Sequence, residues 1–175
     1  MKKINSFTRA SLALIGMLFL LSGCTGYRLG SMLPADVSTV YIPNFHNETQ
    51  EPFLISEATR AVILELQRDG SLEIVGPDEA DAILTVTLKD YDLRPSNYDR
   101  SDRSRPDQYK VVLTAEVVFT HARTGKILVS KPRVTGDTYF DFAGDLTNTR
   151  RQALPEASRD LAHDVVELIV ELWPR

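Results

Sequence analysis

Apolar and polar positions follow two rhythms along most of this chain. From Ala82 the period is two: Ala82, Leu84, Val86 and Leu88 fall on one side, Thr85, Thr87 and Lys89 on the other. The same alternation returns where Tyr109, Val111, Leu113, Ala115, Val117 and Phe119 oppose Lys110, Thr114, Glu116 and Thr120. Strict alternation marks a strand with one buried face. Residues 81–93 and 109–121 are therefore predicted as long strands of a sheet with one covered and one partly wet face. Residues 37–42 and 72–75 predict shorter strands, closed by Pro43-Asn44 and Gly76-Pro77. Thr124-Gly125 supplies a hairpin turn. A further strand, or two broken at Pro132, runs from Lys126 to about Phe142, and Pro132 predicts an edge or a bulge.

The second rhythm has steps of three and four. Ile55, Ala58, Val62 and Leu66 form such a stripe, widened by Leu54, Ala61 and Ile63, so residues 53–68 are predicted as a helix. Asn47 to Pro52 looks like its acidic, cap-rich start, and Asp69-Gly70 its stop. Leu154, Ala157, Leu161, Val165, Leu168 and Leu172 repeat the stripe, flanked by Ala153, Ala162, Ile169 and Trp173. Pro155 is expected in the first turn of this helix, and Pro174 after its end. The predicted fold is α+β: a two-layer sandwich of two helices packed on one face of a four- to five-stranded, mainly antiparallel or mixed sheet.

The N-terminus obeys neither rhythm. Lys2, Lys3 and Arg9 precede an almost wholly apolar run to Leu21, and no acidic residue appears before Asp36. A basic start followed by about a dozen apolar residues marks a secretory signal, and the run is short for a bilayer core of ~30 Å. The single cysteine follows at once, in Leu21-Ser22-Gly23-Cys24. This segment resembles the bacterial lipobox, in which the cysteine thiol takes a diacylglycerol and cleavage occurs before it. Residues 1–23 are then a lipoprotein signal peptide, residues 24–36 a lipidated tether and residues 37–175 a single α+β domain. Thr25, rather than Asp, follows the cysteine, which by the same resemblance directs the protein to the outer membrane.

The chain has 175 residues, 25% charged and 43% hydrophobic, with a net charge of −4. These values exclude a multi-span transporter and a large catalytic barrel, and the acidic balance argues against a nucleic-acid partner. One cysteine excludes an intrachain disulfide and a Cys-rich zinc site. Removing residues 1–23, with their three basic and no acidic residues, leaves 152 residues of net charge −7. The overall charge thus averages a basic leader with an acidic domain.

Candidate chemistry is sparse. His46, His121 and His163 stand apart, with no second ligand at metal spacing, and no P-loop or G-x-S-x-G elbow occurs. No cofactor, metal site or catalytic residue is expected. Residues 94–107 hold Arg94, Arg100, Arg103 and Arg105 among three Asp, with Lys110 just beyond. Two readings stay open: a solvated connection between strands, or a contact loop for a partner or an anionic ligand. Arginine forks bind phosphate in two-pronged fashion, so a lipid phosphate fits the second. Lys126, Lys131 and Arg133 lie on the neighbouring turn and strand, each by itself an ordinary surface residue.

Several stretches together resemble the LptE family of lipopolysaccharide-assembly lipoproteins. They are Gly26-Tyr27-Arg28-Leu29 after the cysteine, the block Thr39 to Pro52, residues 79–84 and the strand from Tyr109 to the Gly125 turn. The resemblance implies two helices on a four-stranded sheet. It implies a lipoprotein of the outer membrane, anchored through its N-terminal lipid and seated as a plug inside the LptD β-barrel. It also implies lipopolysaccharide contact through basic residues at one tip of the domain, for which Arg94, Arg100, Arg103, Arg105 and Lys110 are the candidates. The competing readings are a pilotin-like or other periplasmic adaptor for a different outer-membrane pore, and a lipid-binding lipoprotein with a closed cavity.

Overall fold

The computed structural model describes residues 33–98, 106–141 and 146–171, with side chains described from Arg151 in the last of these segments. Six strands occupy five positions across one sheet. β1 (Thr39–Tyr41) and β2 (His46–Asn47) lie one after the other along the same side of β4 (Ala82–Tyr98), both parallel to it. β3 (Glu73–Ile74) flanks β1, also in parallel. β4, β5 (Pro106–His121) and β6 (Ile127–Asp141) form a long antiparallel meander. Helix α1 (Leu54–Asp69) connects β2 to β3, and α2 (Leu146–Val170) follows β6.

The alternating residues do what their period requires. Ala82, Leu84, Val86 and Leu88 are buried, as are Val111, Leu113, Ala115, Val117 and Phe119, all on the helix-covered face. From α1 they meet Leu54, Ala58, Ala61, Val62 and Leu66, and from α2 Leu154, Ala157, Leu161, Val165 and Ile169. The α+β sandwich expected from the two rhythms is the observed fold. Leu172, Trp173 and Pro174, assigned to the end of the last helix, lie outside the described residues.

The sheet is mixed, as expected: the short strands are parallel, because β1, α1 and β3 form a crossover unit, and a crossover returns the chain to the same direction. Three local expectations change. Residues 94–98 and 106–107 are not loop: they extend the β4–β5 ladder, with Arg94 opposite Lys110 and Tyr98 opposite Pro106. Backbone pairing to β5 carries a polar stretch that shows no alternation of its own. Pro155 is not in the first turn but inside α2, which begins at Leu146. The polar run before Leu154 has weak helix propensity, yet it forms the first turns of α2. The residues before α1 also do not cap it. Its N-cap is Phe53, with no side-chain cap bond. Instead Asn47 Oδ1 accepts from Thr49 N and Oγ1 at 2.9 and 2.7 Å, Asn47 Nδ2 donates to Glu51 O at 3.0 Å, and Thr49 Oγ1 accepts from Glu51 N at 3.2 Å. These bonds fold the chain between β2 and α1. The stop at Gly70 is as expected, with φ at +74° and its N–H on Leu66 O.

Pro132 falls on β6, the outermost strand, beside a register shift between Ala115 and Val117. It is thus both at an edge and at a bulge, where a missing donor does least harm.

The start of β1 is fastened by Asp81. Its Oδ2 accepts from Ser38 N, Ser38 Oγ and Thr39 N at 3.1 Å each, and from Thr39 Oγ1 at 2.9 Å. Those bonds, led by the Ser38 N–H, lower the carboxyl pKa from 3.8 to about 2. A depressed carboxylate pKa contributes stability above the unfolded value that is lost as pH falls toward the folded one. Asp81 keeps contact with water, so about 1–2 kcal/mol is expected. Asp81→Asn should be that much less stable than the parent at pH 7 in urea. The gap should close between about pH 4 and pH 2, and a gap that stayed constant with pH would contradict the assignment.

Candidate functional site

The far end of the meander gathers the candidate residues. β2 stops opposite Leu88, and beyond it β4 pairs only with β5. A register shift at Lys89 turns Lys89 and Asp90 both outward, so Tyr91 and Leu93 take over the inward positions. The shift places Asp92, Arg94, Val112 and Lys110 together on the open face, since directly paired residues share a face.

Lys89, Arg94 and Lys110, the cations described here, each have an acidic partner. Lys89 Nζ lies 3.0 Å from Glu48 and 3.1 Å from Glu116. Arg94 pairs with Asp92. Lys110 Nζ lies 3.0 Å from Asp137 Oδ2 and 5.0 Å from the centroid of the Tyr139 ring. Hydrogen bonding to Glu48 raises the Lys89 pKa, to Asp92 that of Arg94, and to Asp137 that of Lys110. All three therefore stay charged throughout the ordinary pH range. On the other face Tyr109 stacks on Phe140, with centroids 5.9 Å apart and rings 14° from parallel. Tyr98 and Tyr139 are about half exposed, at 46% and 54%. The end of the meander is thus an aromatic and charge-paired surface rather than a plain basic patch.

Arg94 and Lys110 come together as cross-strand neighbours. Arg100, Arg103, Arg105 and Cys24 lie outside the described residues. Asp137, Tyr139, Tyr109 and Phe140 were not singled out as a group in the sequence. Their meeting depends on the β5–β6 register, which no local pattern encodes. The change of phase at Lys89-Asp90, by contrast, is visible in the sequence as a break in alternation.

The three histidines do not converge. His46 is exposed on β2. His121 is 9% exposed; its Nδ1 accepts from Arg123 N, so its Nε2 carries the hydrogen that reaches Asp36 at 3.2 Å. His163 Nδ1 lies 3.3 Å from Glu65, which raises its pKa and links α2 to α1. Among the described residues no group of three or more His, Cys, Asp or Glu is placed to hold a metal ion. The grooves at the surface are open and lined by charged side chains, as at Glu48, Lys89 and Asp90. The arrangement suits contact with another molecule.

A family model described as lipopolysaccharide-assembly, LptE, matches residues 37–169. No curated protein matches the sequence. Among solved structures, the fold is similar to that of a protein from Xanthomonas campestris, 8% identical, with 81% of this chain and 90% of that one covered and a TM-score of 0.55. Lipoprotein B from Nitrosomonas europaea is 13% identical, with 80% and 92% covered and a TM-score of 0.45. A minor lipoprotein from Acinetobacter baumannii is 11% identical, with 76% and 92% covered and a TM-score of 0.46.

Proposed function

Since the chain belongs to the LptE lipopolysaccharide-assembly family, we propose that it serves as plug and assembly partner of an LptD-type outer-membrane β-barrel. Membership makes it an outer-membrane lipoprotein of lipopolysaccharide assembly, and not an enzyme. The finer reading has three parts. Residues 1–23 are removed on export, Cys24 carries the lipid, and residues 37–175 form the domain that engages the barrel.

The observation that carries the proposal is that the family match spans the described sandwich from before β1 into the last turn of α2. The open face supports it. A barrel lumen is polar, and Thr85, Thr87, Thr114, Glu116 and Thr120 present a polar surface on which Lys89 is already neutralised by Glu48 and Glu116. Such a face loses little by leaving bulk water for a polar wall.

Tagged protein extracted in mild detergent should bring down one large β-barrel of the LptD type. Recovery of a secretin instead would favour the pilotin-like reading, and a single bound lipid with no partner would favour the lipid-binding one. For lipopolysaccharide contact, Arg94, Arg100, Arg103, Arg105 and Lys110 are the proposed residues. Changing Arg100, Arg103 and Arg105 together to alanine is expected to weaken lipid A binding by about tenfold or more, with barrel association largely kept. Unchanged affinity by calorimetry would remove this segment as the site.

A further inference from the structure

The end of the domain opposite the candidate site carries a different surface. The β5–β6 turn is closed by His121 N on Lys126 O at 2.9 Å and by Gly125 N on His121 O at 2.9 Å, with Gly125 at a φ of +68°. Arg123 and Lys126 are exposed on it, and among the described residues neither takes part in an ion pair. Ile127, at the exit of the turn, is 59% exposed, more than any other large hydrophobic residue described. An exposed aliphatic side chain between unpaired cations is the combination that enters a bilayer interface, the apolar group among acyl chains and the cations among phosphates.

The length of chain before the domain limits how far this turn can be from a lipid on Cys24. The described residues begin at Leu33, and Asp36 is bonded to His121 at the base of the turn. Eight residues separate Leu33 from Cys24, so the two are at most about 30 Å apart along an extended chain. Two acidic residues lie at the base of the turn, Asp36 bonded to His121 and Asp81 accepting from Ala122 N through its backbone O at 2.7 Å. Asp81 is held by Ser38 and Thr39 at the start of β1, and Glu73, Asp78 and Glu79 sit on or just after β3. β3 and β6 are the two edges of the sheet, so Glu73 is roughly 19 Å from β6 at ~4.8 Å per strand.

We propose that the β5–β6 turn, with Arg123, Lys126 and Ile127, seats on the anionic phospholipid headgroups of the leaflet that holds the lipid anchor. This rests on lipidation of Cys24. Each cation near an anionic surface strengthens its attraction by about fivefold, and the anchor confines the turn so that a weak contact is populated.

The test uses the lipidated chain with Thr124→Cys carrying an environment-sensitive fluorophore, Cys24 being consumed by its lipid. In phosphatidylcholine vesicles containing phosphatidylglycerol, the label should shift to the blue and be quenched from the lipid phase. In phosphatidylcholine alone, at high salt, or with Arg123→Glu and Lys126→Glu added, it should return to aqueous emission while flotation with the vesicles is unchanged. Aqueous emission in the anionic vesicles from a chain that floats overturns this proposal and leaves the anchor standing. An equal blue shift in neutral vesicles, or with both charges reversed, overturns recognition of the anionic headgroup. A chain that does not float overturns the anchor, and the seated turn with it.

Discussion

Replacing Cys24 with alanine is expected to abolish cleavage before residue 24 and to empty the outer-membrane fraction of this protein. The thiol is the nucleophile that accepts the diacylglycerol, and a methyl group in its place cannot. Processing waits on that modification in signals of the type that Leu21-Ser22-Gly23-Cys24 resembles. The size of the effect follows from acyl-chain partitioning. One myristoyl chain gives an association constant of only ~10⁴ M⁻¹, and each buried methylene adds about 0.8 kcal/mol. A diacylglycerol with an added N-acyl chain supplies three chains, which makes attachment effectively permanent. Removing all three is an all-or-none change. Membrane fractionation, with mass spectrometry of the N-terminal peptide, checks it. A Cys24→Ala chain still trimmed at the same bond and still recovered in the outer membrane through its N-terminus would sink the assignment.

Gly136→Ala should cost about 3 kcal/mol and Gly136→Val more, out of a total of about 5–15 kcal/mol for a typical domain. Gly136 sits on β6 where α2 crosses it. A Cβ there would press on Leu161 N and lie 2.5 Å from Leu161 Cα and 2.6 Å from Leu161 Cβ. The obstacle is helix backbone, which cannot rotate away as the end of a side chain can. α2 must lift from the sheet, and two things weaken together. Leu161, wholly buried in the core, loses its seat. The bond from Asp137 N to Asp160 Oδ2, 2.8 Å long, stretches at the outer edge of β6. For a domain of this size 3 kcal/mol corresponds to a melting temperature roughly 10 °C lower. Gly70→Ala is the comparison. Gly70 has φ of +74° and nothing within 4 Å of its added Cβ, so it should cost only about 1 kcal/mol, from backbone strain. Equal losses at the two positions would mean that the helix yields freely over Gly136.

These two residues mark what can and cannot be read in a linear order of residues. Cys24 is legible because its chemistry depends on its immediate neighbours. The same locality made the elements legible. The alternation from Ala82 to Leu88 and the stripe from Leu54 to Leu66 are short-range consequences of strand and helix geometry, and the burial they imply is observed except at Ile55 and Ile63, which are only partly covered. Two amphipathic helices and a half-buried sheet leave few ways to hide their apolar faces, so the sandwich itself followed.

The rest depends on partners distant in sequence. Polar residues 94–98 became strand because β5 offers them a ladder. Pro155 lies inside α2, whose Leu154, Ala157 and Leu161 are held in the core shared with the sheet. Lys110 meets Asp137 and Tyr139 only through the β5–β6 register. Asp81 fastens Ser38 and Thr39 from more than 40 positions away. In each case a hydrogen bond or contact between separate segments outweighs local preference, and its residues show no common pattern until the chain has folded. The sequence alone determined the elements and the layers, and it alone carries the proposal of an anchor at Cys24. Register, close approach and the pairing of charges at the end of the meander were decided by the tertiary structure, because their energies belong to pairs of segments rather than to either one.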